Sequence, residues 1–251
     1  MLLEGKTAVL YGAGGGIGGA VATAFAREGA TVHLTGRTPE RLEALAATIR
    51  AAGGQAETAL VDALDEQAVD AHADALAARA GGIDVSLNVI AAREVFGTPL
   101  AEMSLADFEQ PITTLVRSTF LTARAAARHM IPRRSGVILT FGGHGAPMRD
   151  FHLGGFQVGL GAVEYLRRQL AAELGRHGIR VVGLQSAGIA EAIPEGLPGR
   201  DAIAESLAAL TMLGRTASLA DVGNTAVFAA SDLASAITGT SLNITCGTAA
   251  D

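Results

Sequence analysis

The sequence predicts an α/β fold: one doubly wound sheet of about seven parallel strands with helices on both faces. Three observations predict it. Short runs rich in β-branched residues alternate with helical patterns along the whole 251-residue chain. The stretch Tyr11 to Gly19, YGAGGGIGG, sets a tight glycine turn between the first such run and the first helical pattern. No low-complexity linker and no internal repeat breaks the alternation, so residues 1–251 read as a single domain.

Strands are expected at Thr7 to Tyr11, Thr31 to Thr35, Glu57 to Val61, Val85 to Val89, Val137 to Phe141, Arg180 to Gln185 and Ser241 to Ile244. The helix after the glycine turn runs through Val21, Phe25 and Arg27. Thr38 is placed to cap a helix opening on Pro39, whose inner face carries Leu42, Leu45 and Ile49 and which Gly53 and Gly54 stop. A further helix covers Asp65 to Ala80, ended by Gly81 and Gly82. Ser104 is placed to cap a long helix reaching about Met130, which Pro111 is expected to break or kink near its start. Another helix is expected from about Leu153 to Arg176. The segment 189–212, with Pro194 and Pro198 around a short helix, reads as a flap on the substrate side.

Composition excludes several function classes. The net charge of -6, with no basic run, argues against a nucleic-acid surface. A single cysteine forms no internal disulfide and supplies no thiolate cluster, so no metal site is read; Cys246 reads as a small buried apolar residue near the end of the last strand. No apolar stretch approaches the roughly 20 residues that span a bilayer. The apolar start runs straight into the glycine turn and reads as a strand rather than a signal peptide, so a cytoplasmic protein is expected. The 19 basic residues are arginines except for Lys6; the only tyrosines are Tyr11 and Tyr165, and tryptophan is absent.

Strand and helix on either side turn the glycine string into a dinucleotide site. Gly12 permits the tight turn, Gly14, Gly15, Gly16 and Ile17 offer backbone to a pyrophosphate, and Gly18 lets the helix pack close to the sheet. The helix N-terminus favours the phosphates. At the end of the second strand Gly36 and Arg37 stand where an NAD site usually carries an acidic residue, so NADP(H) is expected over NAD(H).

At this point the sequence resembles the short-chain dehydrogenase/reductase family over nearly its whole length. The residues that carry the resemblance are Gly12-x3-Gly16-Ile17-Gly18, Asp62 after the third strand, Asn88-Val89-Ile90-Ala91, Gly188 after Ala187, and the run Leu213-Gly214-Arg215, Asp221-Val222, Ser231-Asp232 and Ile237-Thr238-Gly239. The resemblance implies a Rossmann-like fold, an adenine contact from Asp62, cofactor contacts from Asn88, Gly188 and Ile189, and oxidoreductase chemistry. It also implies a homodimer or homotetramer built through the two long helices and the last strand, for which the alanine-rich stretches leave room.

That family's chemistry uses a tyrosine, a lysine four residues later, a serine about thirteen residues before the tyrosine, and an asparagine on the preceding helix. Aligned on Gly161-Ala162-Val163-Glu164, on Gly136 to Phe141 and on Thr119-Phe120-Leu121, this chain has Phe156, Leu160, Gly143 and Leu115 at those positions. With Lys6 the only lysine, no Tyr-x3-Lys exists anywhere in the chain. A phenol of ordinary pKa about 10 needs a neighbouring cation to exchange protons near neutrality, and Phe156 and Leu160 offer neither group. All four replacements are apolar or lack a side chain, so the site reads as relined without a stranded polar group.

Phe96, Met148, Phe151, Leu153, Ile193 and Met212 are candidates for an apolar cavity beside it, or for ordinary core and lid packing. His144 and His152 are the candidate substitute acids, each also readable as a solvated loop histidine. Arg149, Asp150 and Glu191 read as loop charges, and Tyr165 lies too far along its helix to act. Three readings stand: an NADP(H)-dependent oxidoreductase with a substitute acid or a substrate needing none, an NADP(H)-binding sensor or partner subunit without turnover, and a scaffold for cyclisation, dehydration or isomerisation of a small apolar substrate.

Overall fold

The computed structural model describes residues 1–92, 95, 97–143, 151–194 and 196–249. Seven strands form one parallel sheet: β1 (Thr7–Tyr11), β2 (Thr31–Gly36), β3 (Gln55–Leu60), β4 (Val85–Asn88), β5 (Gly136–Gly143), β6 (Ile179–Ser186) and β7 (Ser241–Asn243). Their spatial order is β3-β2-β1-β4-β5-β6-β7, so the winding direction reverses between β1 and β4. In such a sheet that reversal opens a crevice at the carboxyl ends of the strands. β3 begins and ends earlier than its apolar pattern suggests, because Gln55 and Ala56 pair with Thr31 and Val32 while the edge strand leaves its far side to solvent. β7 stops at Asn243, whose side chain accepts from the Thr245 N–H (3.0 Å) and turns the chain out of the ladder. Cys246 therefore lies beyond the strand, half-buried and with φ +54.

Period-two alternation sorts the strand residues between two cores. Ala8, Leu10, Val32, Leu34, Leu139 and Leu184 pack against α1 (Gly16–Arg27), α2 (Pro39–Ala51) and α7 (Leu219–Ala230). Val9, Tyr11, Ile138 and Val181 face α3 (Glu66–Ala80), α4 (Leu105–Arg133) and α5 (Gly154–Leu174). A short helix, α6 (Arg200–Ala209), lies in the segment expected to form a flap.

The helix ends show why these helices start where they do. Asp65 accepts from the N–H groups of Gln67 and Ala68, and Ser104 from that of Asp107. Thr38 occupies the N-cap position of α2, but its side chain caps nothing. Ser218 and Asp221 form a reciprocal capping box on α7, and Arg215 adds a 2.7 Å bond to Asp221. The Ser218 backbone N–H, then Arg215, hold the Asp221 carboxyl down to about 2. Pro111 does not break α4, which continues through it to Arg133. The proline removes one helical N–H, but it is buried against α5, and that tertiary contact keeps the turn in place.

That contact is close because α5 has glycines where it meets α4. A Cβ on Gly155 would overlap the Phe108 carbonyl, and one on Gly159 would lie 2.9 Å from Leu115 Cδ1. We expect Gly155→Ala to destabilise the protein by about 2–3 kcal/mol in urea unfolding. Gly175→Ala, at a helical φ with open space around it, should be neutral or stabilising by about 0.4–1 kcal/mol.

A polar seam runs between the sheet and α3. His72 meets the Tyr11 ring edge-on at 6.3 Å between centroids, and His33 Nδ1 lies 3.4 Å from Glu57. Burial, reinforced by His33 and Arg79, lowers the His72 pKa to about 4. The unfolded chain binds this proton near 6.5 and the folded chain only near 4. The stability due to neutral His72 is therefore complete above pH 6.5 and declines as the pH falls toward 4. Equilibrium unfolding across that window should show the slope, and His72→Phe should reduce it, with His33, whose pKa burial also lowers, keeping a remainder of the same sign.

Candidate active site

The turn after β1 is shaped by close approaches. Gly12 has φ +90, its N–H and that of Ala13 both bond the Thr35 carbonyl at 3.1 Å, and a Cβ there would lie 2.7 Å from the Val89 carbonyl oxygen. A Cβ on Gly18 would lie 2.5 Å from the Gly12 oxygen and 2.8 Å from Ala13 Cα, so the first turn of α1 rests on the loop. Gly16, which begins α1, has open space where a side chain would stand. Gly14, Gly15 and Ile17 complete this cradle; the Gly15 N–H turns back to the Gly12 carbonyl at 3.2 Å, and the helix N-terminus that follows is of a kind that suits a phosphate group.

The other predicted cofactor residues ring the same carboxyl edge of the sheet. Arg37 follows β2 and is exposed. Asp62 follows β3, exposed, and accepts from the Leu64 N–H at 3.0 Å. Asn88 ends β4 but is buried: its amide donates to Thr122 Oγ1 at 3.2 Å and its oxygen accepts from the Ile90 N–H at 2.9 Å. Its side chain fixes the turn at Val89 and Ile90, beside Gly12. Gly188 is exposed in the turn after β6, Ile189 is buried, and a Cβ on Gly188 would lie 2.6 Å from Leu207 of α6.

Leu115, Gly143, Phe156 and Leu160 come together. Leu115 and Leu160 are buried in one cluster with Val163, and Phe156, Ala92 and Val116 pack on it. Leu160 lies directly under the end of β5, where a Cβ on Gly143 would be 3.1 Å from its Cδ1. Every member of this cluster is a hydrocarbon side chain. Lys6 precedes β1 and so lies at the opposite, amino-terminal edge of the sheet.

The candidate acid His152 lies outside α5. Helix α5 starts only at Gly154, and His152 is exposed before it with φ +48. The glycines at 154 and 155 and the left-handed turn delay the helix, which leaves His152 outside it. His144, Phe96, Met148, Arg149 and Asp150 lie outside the described residues. Of the other cavity candidates, Leu153 is buried, whereas Phe151 and Met212 are exposed and Met212 packs toward Gly247. Glu191 accepts from the Leu219 N–H at 2.8 Å and ties the flap segment to the start of α7. Sequence reasoning missed Gln157, whose buried side-chain oxygen has no hydrogen-bond partner among the described residues, and Ser186, which pairs in register with Gly143. Only the fold reveals these two.

Comparison with known proteins gives these contacts a family. A family model described as enoyl-(acyl carrier protein) reductase matches residues 12–249. A short-chain type dehydrogenase/reductase from Mycobacterium marinum has the same fold, with a TM-score of 0.88 and 27% identity, covering 99% of this chain and 97% of that one. The chain belongs to the short-chain dehydrogenase/reductase family. This family member is 32% identical to gluconate 5-dehydrogenase of Gluconobacter oxydans over 237 residues, 94% of this chain and 92% of the relative. A gluconate 5-dehydrogenase from Burkholderia cenocepacia, solved with NADP and tartrate, is 28% identical with a TM-score of 0.88, covering 98% of this chain and 96% of that one. The chain is thus a member of an oxidoreductase family, and no helix among its described residues is long and apolar enough to cross a membrane.

The hydrocarbon cluster has a direct energetic test. Leu160→Lys puts an ammonium into a site without a described carboxylate beside it. It should cost about 3 kcal/mol or more in chemical unfolding, whereas the nearly isosteric Leu160→Met should cost less than about 1.5 kcal/mol.

Proposed function

We propose that this chain is an NADP(H)-binding member of its family that keeps the nucleotide seat and has replaced the usual proton relay with an apolar surface. The observation that carries the reading is the contact of Leu160 with the end of β5 at Gly143, continuous with Leu115 and Phe156. Where the family's chemistry needs a serine, a tyrosine and a lysine acting together, these positions offer no hydroxyl and no cation.

The nucleotide half is argued from the cradle. Gly12, Gly14, Gly15, Gly16, Ile17 and Gly18 hold the pyrophosphate, Asp62 lies at the adenine end, and the turn fixed by Asn88 closes the floor. Arg37 selects NADP(H) over NAD(H), since a guanidinium attracts a 2'-phosphate and Gly36 and Arg37, not an acidic residue, stand at the end of β2. Gly188 and Ile189 carry the wall beside the nicotinamide, and residues 189–212 act as a flap over it. The NADP complex of the Burkholderia relative supports the choice of cofactor class.

When bound, the nicotinamide supplies a hydride donor or acceptor. The residues around it decide which acceptors that hydride can reach productively. Reduction of a simple ketone builds charge on oxygen and needs a proton, and Phe156 and Leu160 provide none. They instead exclude water and favour an apolar ligand. Two uses fit such a pocket: holding NADP(H) without turnover, as a sensor or partner subunit, or hydride exchange with an iminium acceptor, which becomes a neutral amine without a proton, or with a conjugated acceptor whose enolate takes its proton from solvent at the pocket mouth. Exposed Phe120 on α4 and Val158 and Tyr165 on α5 support assembly as a homodimer or homotetramer through these helices.

Steady-state NADPH oxidation over a panel of ketones, enoyl compounds and iminium ions tests this reading. The native protein should stay at background with simple ketones, while the combined Leu115→Asn, Gly143→Ser, Phe156→Tyr and Leu160→Lys variant should gain turnover. Ketone reduction by the native protein within tenfold of that variant would refute the replaced relay. Loss of such activity in His144→Ala or His152→Ala would then name the substitute acid.

A further inference from the structure

The 2'-phosphate of NADP(H) carries about −1.5 to −2 charges, and one arginine leaves it under-compensated. The glycine loop offers no help, because residues 13 to 16 are alanine and glycines. The next cation along the chain is Arg41, on the first turn of α2 and exposed. Its stem lies across the loop: a Cβ on Gly14 would be 3.3 Å from Arg41 Cβ and 3.9 Å from Arg41 Cδ. Arg37 and Arg41 are four residues apart at the strand-to-helix junction, both on the nucleotide side of β2. Between them Thr38 keeps its hydroxyl out of helix capping. Arg50, at the far end of the same helix, is paired with Glu43 at 3.7 Å, but no ion pair involves Arg37 or Arg41 among the described residues. Glu40 is the one carboxylate in this turn, and as the immediate neighbour of Arg41 it points about 100° around the helix from it.

We propose that Arg41 is a specificity-determining residue, the second cation for the 2'-phosphate, acting with Arg37 and the Thr38 hydroxyl. The inference rests on the NADP(H) reading above and adds to it a reason for Gly14. The absence of a side chain there lets the Arg41 stem cross the loop and bring its guanidinium over the ribose. Arg37 approaches from the strand side and Arg41 from the helix side, so the phosphate is held from two directions. An NAD(H) ribose, without the phosphate, gains nothing from either.

The test is equilibrium binding, with no turnover needed. Titrations with NADPH, NADH and adenosine 2'-monophosphate, by nucleotide fluorescence or calorimetry, are compared for the native chain, Arg37→Gln, Arg41→Gln and the double variant. A lost charge-assisted hydrogen bond corresponds to about tenfold in affinity. Arg41→Gln should therefore weaken NADPH and adenosine 2'-monophosphate about tenfold, change NADH less than twofold, and make NADPH binding less salt-dependent. Gly14→Val, which crowds the Arg41 stem, should shift the NADPH to NADH ratio in the same direction. Arg41 is exposed, so its variant is expected to fold, and circular dichroism checks this. If Arg37→Gln lowers the ratio and Arg41→Gln does not, Arg41 has no such role and the NADP(H) reading stands. Equal weakening of both nucleotides by Arg41→Gln also overturns the inference. If the native chain binds NADH as tightly as NADPH, the NADP(H) reading itself falls.

Discussion

The carbonyl of Gly12 against the first turn of α1 at Gly18 is the contact on which the rest of the structure depends. It sets the angle at which the chain leaves β1, and with it the position of α1 on the sheet. The same turn meets the Val89 carbonyl, so the first and fourth strands approach where the winding reverses. Everything assigned to the nucleotide follows the carboxyl end of a strand along this edge of the sheet: the open face of Gly16, Arg37 after β2, Asp62 after β3 and the turn that Asn88 holds. The N–H groups of Gly12, Ala13 and Gly15 are taken up in holding this turn, which fixes the start of α1 as a rigid helix N-terminus of the kind that favours phosphate.

On the other side of the crevice the same sheet edge is finished differently. β5 ends on two glycines over Leu160, and α5 presents Phe156 and Leu160 toward Leu115 of α4. The physical logic is that of a surface whose four relay positions carry no polar side chain to satisfy, with the side-chain oxygen of Gln157, on α5, the buried polar group left without a partner beside them among the described residues. A lone tyrosine, lysine or serine in such a place would leave an unpaired polar atom, whereas replacing all of them together does not. The glycines of α5 that let it touch α4 hold this surface in position, so the apolar lining is part of the packing between the two long helices.

Much of this was legible in the sequence, for identifiable reasons. Seven strands follow from β-branched runs, and the dinucleotide loop from glycines at a spacing that only a strand-turn-helix explains. Lys6 as the sole lysine excludes a Tyr-x3-Lys pair from composition alone. What escaped depended on tertiary context. Pro111 reads as a break, yet packing on α5 carries the helix through it. Thr38 reads as a cap, yet its hydroxyl stays out of the helix. His152 reads as a neighbour of Phe156 only if α5 starts early, and a left-handed turn leaves it outside the helix. Asn88 reads as a cofactor contact from the resemblance, while its hold on the Val89 and Ile90 turn shows only in the fold. Gln157 and Ser186 carried no signal at all, because burial and strand register are not local properties.

The central claim is that an intact nucleotide seat adjoins an apolar surface where a proton relay would stand. The most direct measurement is the fluorescence emission of NADPH titrated into the native protein, used because the chain has no tryptophan whose own emission could report binding. The account predicts saturable binding with enhanced, blue-shifted nicotinamide emission, as the ring leaves water for the surface formed by Leu115, Phe156 and Leu160. Saturable binding with emission unchanged from free NADPH would contradict the apolar surface, and no binding at all would contradict the seat.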